Sequence, residues 1–171
     1  MSNLHVVGVD IGKDVFHLVG FDDDGNVVLR RMIRRLALTD VFNKLPGCIV
    51  GMEACLGAHF VSRTLRRLGF EPRIIPAKYT RPFTKGQKND YNDAEAIAEA
   101  ALRPNLKLVR EKTRDHLDLQ ALHRVRSRLV SRRTAAINQI RAFLIERGIA
   151  VRTGAHALRN SLFAIEGEQG R

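Results

Sequence analysis

Hydrophobic and polar positions divide the chain into short apolar runs, then amphipathic stretches, then one long helical stripe. The first run, LHVVGVD, reads as a buried strand from Leu4 that ends at Asp10. Gly12 and Lys13 mark a tight turn, and Val15–Phe21 is apolar again. The acidic cluster Asp22–Asp23–Asp24–Gly25–Asn26 is a hairpin signal, and Val27–Ile33 is the returning strand. These segments predict a three-stranded antiparallel meander, with Gly8, Gly12 and Gly20 leaving room for close backbone approach.

Thr39–Leu45 follows as a short helix with Thr39 as its N-cap, broken by Pro46–Gly47. The continuous apolar run Cys48–Met52 predicts a buried strand closed by Glu53. Ala58–Leu68 is amphipathic and stops at Gly69, a C-cap residue. Pro72–Ile75 reads as a short strand, Pro76–Lys88 as a basic loop, and Asp90–Leu102 as a helix stopped near Pro104. From Thr113 to Gly148 no Gly or Pro interrupts a helical pattern. Its stripe is Leu122, Val125, Leu129, Ala136, Ile140, Phe143 and Leu144. Leu122, Leu129, Ala136 and Phe143 recur every seven residues, which permits a coiled-coil seam, weakened by Arg132 and Arg133. After Gly148 no completed element is expected.

Charge changes this picture. The 171 residues carry a net charge of +11, unevenly spread. Residues 1–75 hold 10 Lys and Arg against 8 Asp and Glu, and residues 76–171 hold 19 against 10. Between Leu122 and Arg152 there are eight arginines and one acid, Glu146. A basic half of this kind points to a polyanion partner, DNA or RNA. The bland alternative is a set of solvated helix faces. The segment has no aromatic-rich face opposite its arginines, which argues against membrane binding, and no apolar stretch is long enough to span a bilayer. The start MSNLHVVGVD lacks a charged-then-apolar export pattern, so a cytoplasmic, nucleoid-associated protein is expected. Cys48 and Cys55 make neither a disulfide framework nor a zinc spacing. The six histidines show no paired ligand spacing along the chain and read as ordinary surface or half-buried residues.

Against that basic background four acids stand out: Asp10, Glu53, Asp90 and Asp93. Two close strands and two open a helix, spaced i, i+3 on one face. Each alone has a structural explanation as a capping or turn residue. Strands first, then alternating helix and strand, with acids on the first and fourth strands, is the pattern of a ribonuclease-H-like mixed sheet. That topology sets the ends of strands one and four side by side, where a helix can bring Asp90 and Asp93 to both. Four crowded carboxylates repel one another, and a pair of Mg²⁺ or Mn²⁺ ions ~4 Å apart would relieve this. Asp22, Asp23 and Asp24 form a competing cluster on a solvated turn, and Glu95 and Glu99 are assigned to the exposed face of their helix.

The segments VVGVDIGKDVFHLVGFDDDG, IVGMEACLGAHF, RIIPAKYTRPFTKGQKNDYNDAEAIAEA and RPNLKLVREKT resemble the DEDD transposases of the insertion-sequence-110 group. The resemblance implies a RuvC-like domain over residues 1–112 whose metal-binding and catalytic tetrad is Asp10, Glu53, Asp90 and Asp93. It implies a basic, coiled-coil, oligomerising segment over 113–150. Residues 151–171 would begin a linker to a domain carrying a nucleophilic serine, which the resemblance places beyond this chain. None of Ser2, Ser62, Ser127, Ser131 and Ser161 matches that serine's context. The activity implied is metal-dependent DNA cleavage and strand exchange, guided in some members by an element-encoded RNA. Nucleic-acid contacts are expected from Lys85, Lys88, Arg124, Arg126, Arg128, Arg132, Arg133 and Arg141. Three rivals remain at this point. The D-I-G-K opening fits an actin-like ATPase or sugar kinase, but the glycine pair needed at the adenosine is missing and the chain is too short for two such domains. A RuvC-like junction resolvase would share the acids without explaining the arginine-rich helix. A non-catalytic nucleic-acid-binding module would need the helix without the acids.

Overall fold

The computed structural model describes residues 3–83 and 89–169. They form two compact units, one ending at Thr113 and the other starting at Arg114. The first is built on a five-stranded mixed sheet: β1 (Leu4–Ile11), β2 (Val15–Asp22), β3 (Val27–Arg34), β4 (Ile49–Glu53) and β5 (Glu71–Ile75). The strand order is β3-β2-β1-β4-β5. The meander pairs antiparallel, while β4 joins β1 and β5 joins β4 in parallel. This is the ribonuclease-H-like order that the sequence pattern predicts, with the ends of β1 and β4 adjacent.

Alternation along each strand sorts side chains to two faces. Val7, Val9, Phe16, Leu18, Val50 and Met52 face one core. It is closed by α1 (Leu38–Phe42) and α2 (Ala58–Arg67) through Leu38, Phe42, Val61 and Leu65. Val6, Val19 and Phe21 face the other way, against α4 (Asp90–Ala101) and its Ala94, Ile97, Ala98 and Ala101.

That second interface depends on two glycines. Gly8 and Gly51 are register partners on β1 and β4. A Cβ on Gly8 would lie 2.6 Å from the Ala98 nitrogen and also collide with the carbonyl of Ala94. A Cβ on Gly51 would lie 2.7 Å from Ala101 Cβ and 3.0 Å from the Ile97 carbonyl. An alanine-rich helix therefore rests directly on the sheet backbone. Close approach at Gly8 follows the expectation from sequence.

Several local expectations change. Thr39 is not a cap: a 3-10 turn at Arg35–Ala37 leads into α1, and Ala37 stands at the N-cap without a side-chain bond. The stretch read as a basic loop opens with α3 (Ala77–Thr80) and a 3-10 turn at Arg81–Phe83. Pro76 precedes that helix and fits its extended N-cap geometry rather than breaking structure. Asn89, not Asp90, caps α4, its side chain accepting from the Tyr91 N–H at 2.9 Å. Glu95 and Glu99 are half-buried rather than exposed.

The second unit is α5 (Arg114–Ile145) followed by α6 (Ala155–Gln169). The 32 residues of α5 extend about 48 Å at 1.5 Å per residue. Gly148, at φ +77°, ends the first helix, with the Ile149 N–H bonded back to Leu144. A small core of Leu144, Val151 and Leu158 joins the two helices. The helix α6 was not expected. Its apolar residues find partners on α5 across the turn, a long-range match that local periodicity does not display.

Candidate metal centre and nucleic-acid surface

The sheet register builds the acidic centre. Asp10 lies two residues beyond Gly8, and Glu53 two beyond Gly51, so both carboxylates emerge on the α4 face. Because α4 rests on those glycines, its first turn carries Asp90 and Asp93 over the same strand ends. Asp10, Glu53 and Asp93 line one cleft of about 360 Å³ with Ile11, Cys55, Thr80 and Arg81. Asp90 reaches the centre from its rim. It is largely exposed, and its Oδ2 lies 3.6 Å from Nδ1 of His17. One donor atom each from Asp10, His17 and Asp90 lie within 4.8 Å of one another. Asp10 therefore belongs to both groups.

Burial raises the Asp10 carboxyl above its ordinary value, and the neighbouring charges of Asp90, Asp93 and Glu53 add to the rise, with His17 opposing it. The causes are loss of water around a half-buried acid and, after that, the like charges crowded beside it. Oxygen donors crowded in this way suit a hard divalent cation, whose charge would reverse that penalty. The residues present thus fit Mg²⁺ or Mn²⁺. Glu53 is held by the buried Thr80, whose single hydroxyl proton is shared between Glu53 Oε2 at 3.1 Å and the Ala77 carbonyl at 3.0 Å. Burial, with Glu53 and Asp10 nearby, pushes the Cys55 thiol up.

The rival acids lie elsewhere. Asp22 is half-exposed and accepts the Asn26 and Asp24 backbone N–H groups, which hold its carboxyl below its ordinary value. It shapes the hairpin turn. Sequence reasoning missed His17, Thr80 and Arg81. The signal for His17 was present across the hairpin: it pairs directly with Asp10 in the β1–β2 register. Thr80 and Arg81 sit in the segment read as loop.

On α5, Arg124, Arg126, Arg128, Arg132 and Arg133 are all exposed. Arg124, Arg128 and Arg132 follow one another at i, i+4, i+8 and form one stripe, while Arg126 and Arg133 lie on another. Arg141 differs: its Nη2 donates to the Val151 carbonyl at 3.1 Å, fastening the turn between α5 and α6. Lys85 and Lys88 lie outside the described residues. Leu122, Leu129 and Phe143 are more than half exposed, and Leu144 is the buried member of the helical stripe. Among the described residues no helix is long and apolar enough to cross a membrane.

The chain matches known proteins along most of its length. The family model for DEDD transposases of the insertion-sequence-110 type, described as "Transposase", covers residues 7–147. The transposase for insertion sequence element IS1328 of Yersinia enterocolitica is 43% identical over 93% of this chain and 48% of its own length. A probable family 20 transposase of Pseudomonas aeruginosa is 46% identical over 91% of the chain and 46% of its length. The transposase for IS1111A of Coxiella burnetii is 44% identical over 91% and 43%. The chain thus spans about half the length of these curated relatives. Among solved structures, T. thermophilus RuvC in complex with a Holliday junction substrate matches with a TM-score of 0.47 and 13% identity, over 61% of this chain and 98% of that one. With its family model spanning both the acidic centre and the long basic helix, the chain belongs to the DEDD transposases of the insertion-sequence-110 group.

Proposed function

We propose that this chain is the metal-binding and nucleic-acid-binding part of a transposase, cutting DNA in transposition through Asp10, Glu53, Asp90 and Asp93. The observation that supports this best is the cleft shared by Asp10, Glu53 and Asp93, from two adjacent strands and one helix, in a protein of net charge +11. The bound ions, Mg²⁺ or Mn²⁺, would activate an attacking water or hydroxyl and stabilise the leaving oxygen. The chain's own residues do the positioning. Asp10 is the shared acid, Thr80 orients Glu53, and α4 carries Asp90 and Asp93 as a pair. Arg81, exposed at the cleft, is placed to meet a phosphate that enters it.

In this reading residues 1–112 are the catalytic domain, 113–150 the nucleic-acid-binding helix, and 151–171 the start of a linker. The stripe Arg124, Arg128 and Arg132 holds phosphates, with Arg126 and Arg133 on a second track. A guide RNA encoded by the element would use the same backbone chemistry. The exposed apolar residues Leu122, Leu129 and Phe143 are the contact of a homo-oligomer, and Leu129→Glu should lower its mass in sedimentation. Strand joining is assigned to the serine-bearing region of the family, outside these 171 residues.

The test combines the chain, labelled element-end DNA, Mg²⁺ or Mn²⁺ and any guide RNA. Metal-dependent nicking that disappears in Asp10→Asn, without joined products, is the expected result. Nicking that survives Asp10→Asn would remove the acidic centre from the reaction. Joined products from the chain alone would overturn the assignment of joining to the serine.

A further inference from the structure

We propose that His17 is a fifth donor of the acidic centre, a nitrogen ligand that shares one divalent ion with Asp10 and Asp90 and tilts the centre toward Mn²⁺. This rests on the metal-binding reading above and adds a residue of a different chemical kind to it.

Three observations carry it. First, His17 sits opposite Asp10 in the β1–β2 ladder, so both side chains leave the sheet on the same face. Second, the donor atoms of Asp10, His17 and Asp90 already lie within 4.8 Å of one another, and the His17–Asp90 separation is 3.6 Å. Two donors on opposite sides of one ion, each at about 2.1 Å, stand about 4.2 Å apart. Small side-chain shifts therefore suffice to close the set on an ion. Third, the imidazole is held in place. Its side chain is only 12% exposed. Tyr91 packs edge-on against it at 4.8 Å, and the Arg30 guanidinium lies 4.6 Å above the Tyr91 ring. A residue needed only as a surface partner for the exposed Asp90 would not require such fixing.

The chemistry gives the preference. Mg²⁺ favours oxygen and water, whereas imidazole is a good ligand for first-row transition ions. Oxygen donors alone serve either ion, so a nitrogen in the set raises Mn²⁺ affinity more than Mg²⁺ affinity.

The experiment titrates the 171-residue chain with Mn²⁺ and with Mg²⁺ by calorimetry, and records electron spin echo modulation of the bound Mn²⁺. Wild type should show coupling to a histidine nitrogen. His17→Gln should lose that coupling and bind Mn²⁺ at least about tenfold more weakly, the loss already typical for a residue that only supports a ligand, with a smaller change for Mg²⁺. Asp10→Asn serves as the second variant. Mn²⁺ bound in an Asp10-dependent way without nitrogen coupling, and unchanged in His17→Gln, would overturn the role of His17 and leave the metal centre standing. No Asp10-dependent binding of either ion would overturn the metal centre itself. The wild-type spectrum needs no variant, so a misfolded His17→Gln does not weaken the test.

Discussion

Helices α2 and α5, one in each unit, use their arginines in opposite ways. In the sheet unit the arginines of α2 are engaged: Arg63 bonds the Lys112 carbonyl, Arg66 pairs with Glu111 at 3.6 Å, and Arg67 returns to the Arg63 carbonyl. Buried Ser62 donates to the same Glu111. In the helical unit, five arginines and most of an apolar stripe face outward, and α5 buries one residue, Leu144. Helix α2 thus uses its arginines to hold its own unit together. Helix α5 leaves these arginines and most of its apolar stripe exposed. A rigid frame for placed acids needs the first strategy, and capture of a long polyanion needs the second.

The most severe way to break this contrast is to fill the gap under α4. Gly8→Val should cost at least about 3 kcal/mol, because backbone atoms of Ala94 and Ala98 occupy the space. Ala135→Val on the exposed face of α5 should stay within about 0.5 kcal/mol. Urea unfolding of both variants gives the comparison. A mild Gly8→Val would mean that α4 can move off the sheet.

The arginines sharpen it next. Replacing Arg124, Arg128 and Arg132 by Ala should flatten the log–log salt dependence of DNA binding by up to about 2.7, at about 0.9 per phosphate contact. The weakening should not depend on sequence. Replacing Arg63, Arg66 and Arg67 should leave the slope unaltered, since those side chains already have protein partners. Fluorescence anisotropy across salt concentrations would decide, and equal slopes for both triples would erase the contrast.

Asp10→Asn should stabilise the metal-free chain by about 1 kcal/mol, or roughly 2–4 °C in Tm. The Asp10 carboxyl is held above its ordinary value. The folded state therefore keeps a proton that the unfolded chain releases, and stability falls as pH rises through the raised value. The variant should lack that fall, and added Mg²⁺ should raise the Tm of wild type only. Calorimetric scans from about pH 4 to about pH 8, a range that starts near the ordinary Asp value of about 3.9 and runs upward, would show both effects. The smallest change is Thr80→Val, which removes a hydroxyl bonded to Glu53 and Ala77. It should cost about 0.5–1.5 kcal/mol and loosen metal binding without abolishing it.

Much of the sheet unit was legible because its signals are local. Apolar runs ending in Asp10 and Glu53 marked strand ends, and the Asp-Gly-Asn turn set the meander. The i, i+3 pair at 90 and 93 placed two acids on one helical face. What escaped depends on atoms distant in sequence or on backbone alternatives. His17 becomes a neighbour of Asp10 only through cross-strand pairing. Thr39 looked like a cap, but a 3-10 turn brings the chain into α1 without one. Pro76 looked like the start of a basic loop and instead leads into α3. The packing of Val151 and Leu158 on Leu144 has no counterpart in short-range periodicity.

The paired glycines also limit how this centre could be copied. Grafting four carboxylates onto another α/β sheet would reproduce the formula of the site but not its shape. In the recipient, ordinary side chains at the positions of Gly8 and Gly51 would lift the helix away, and Asp90 and Asp93 would rise with it as one piece. The least conspicuous part of the transplant, two missing methyl groups, would have to travel with the acids.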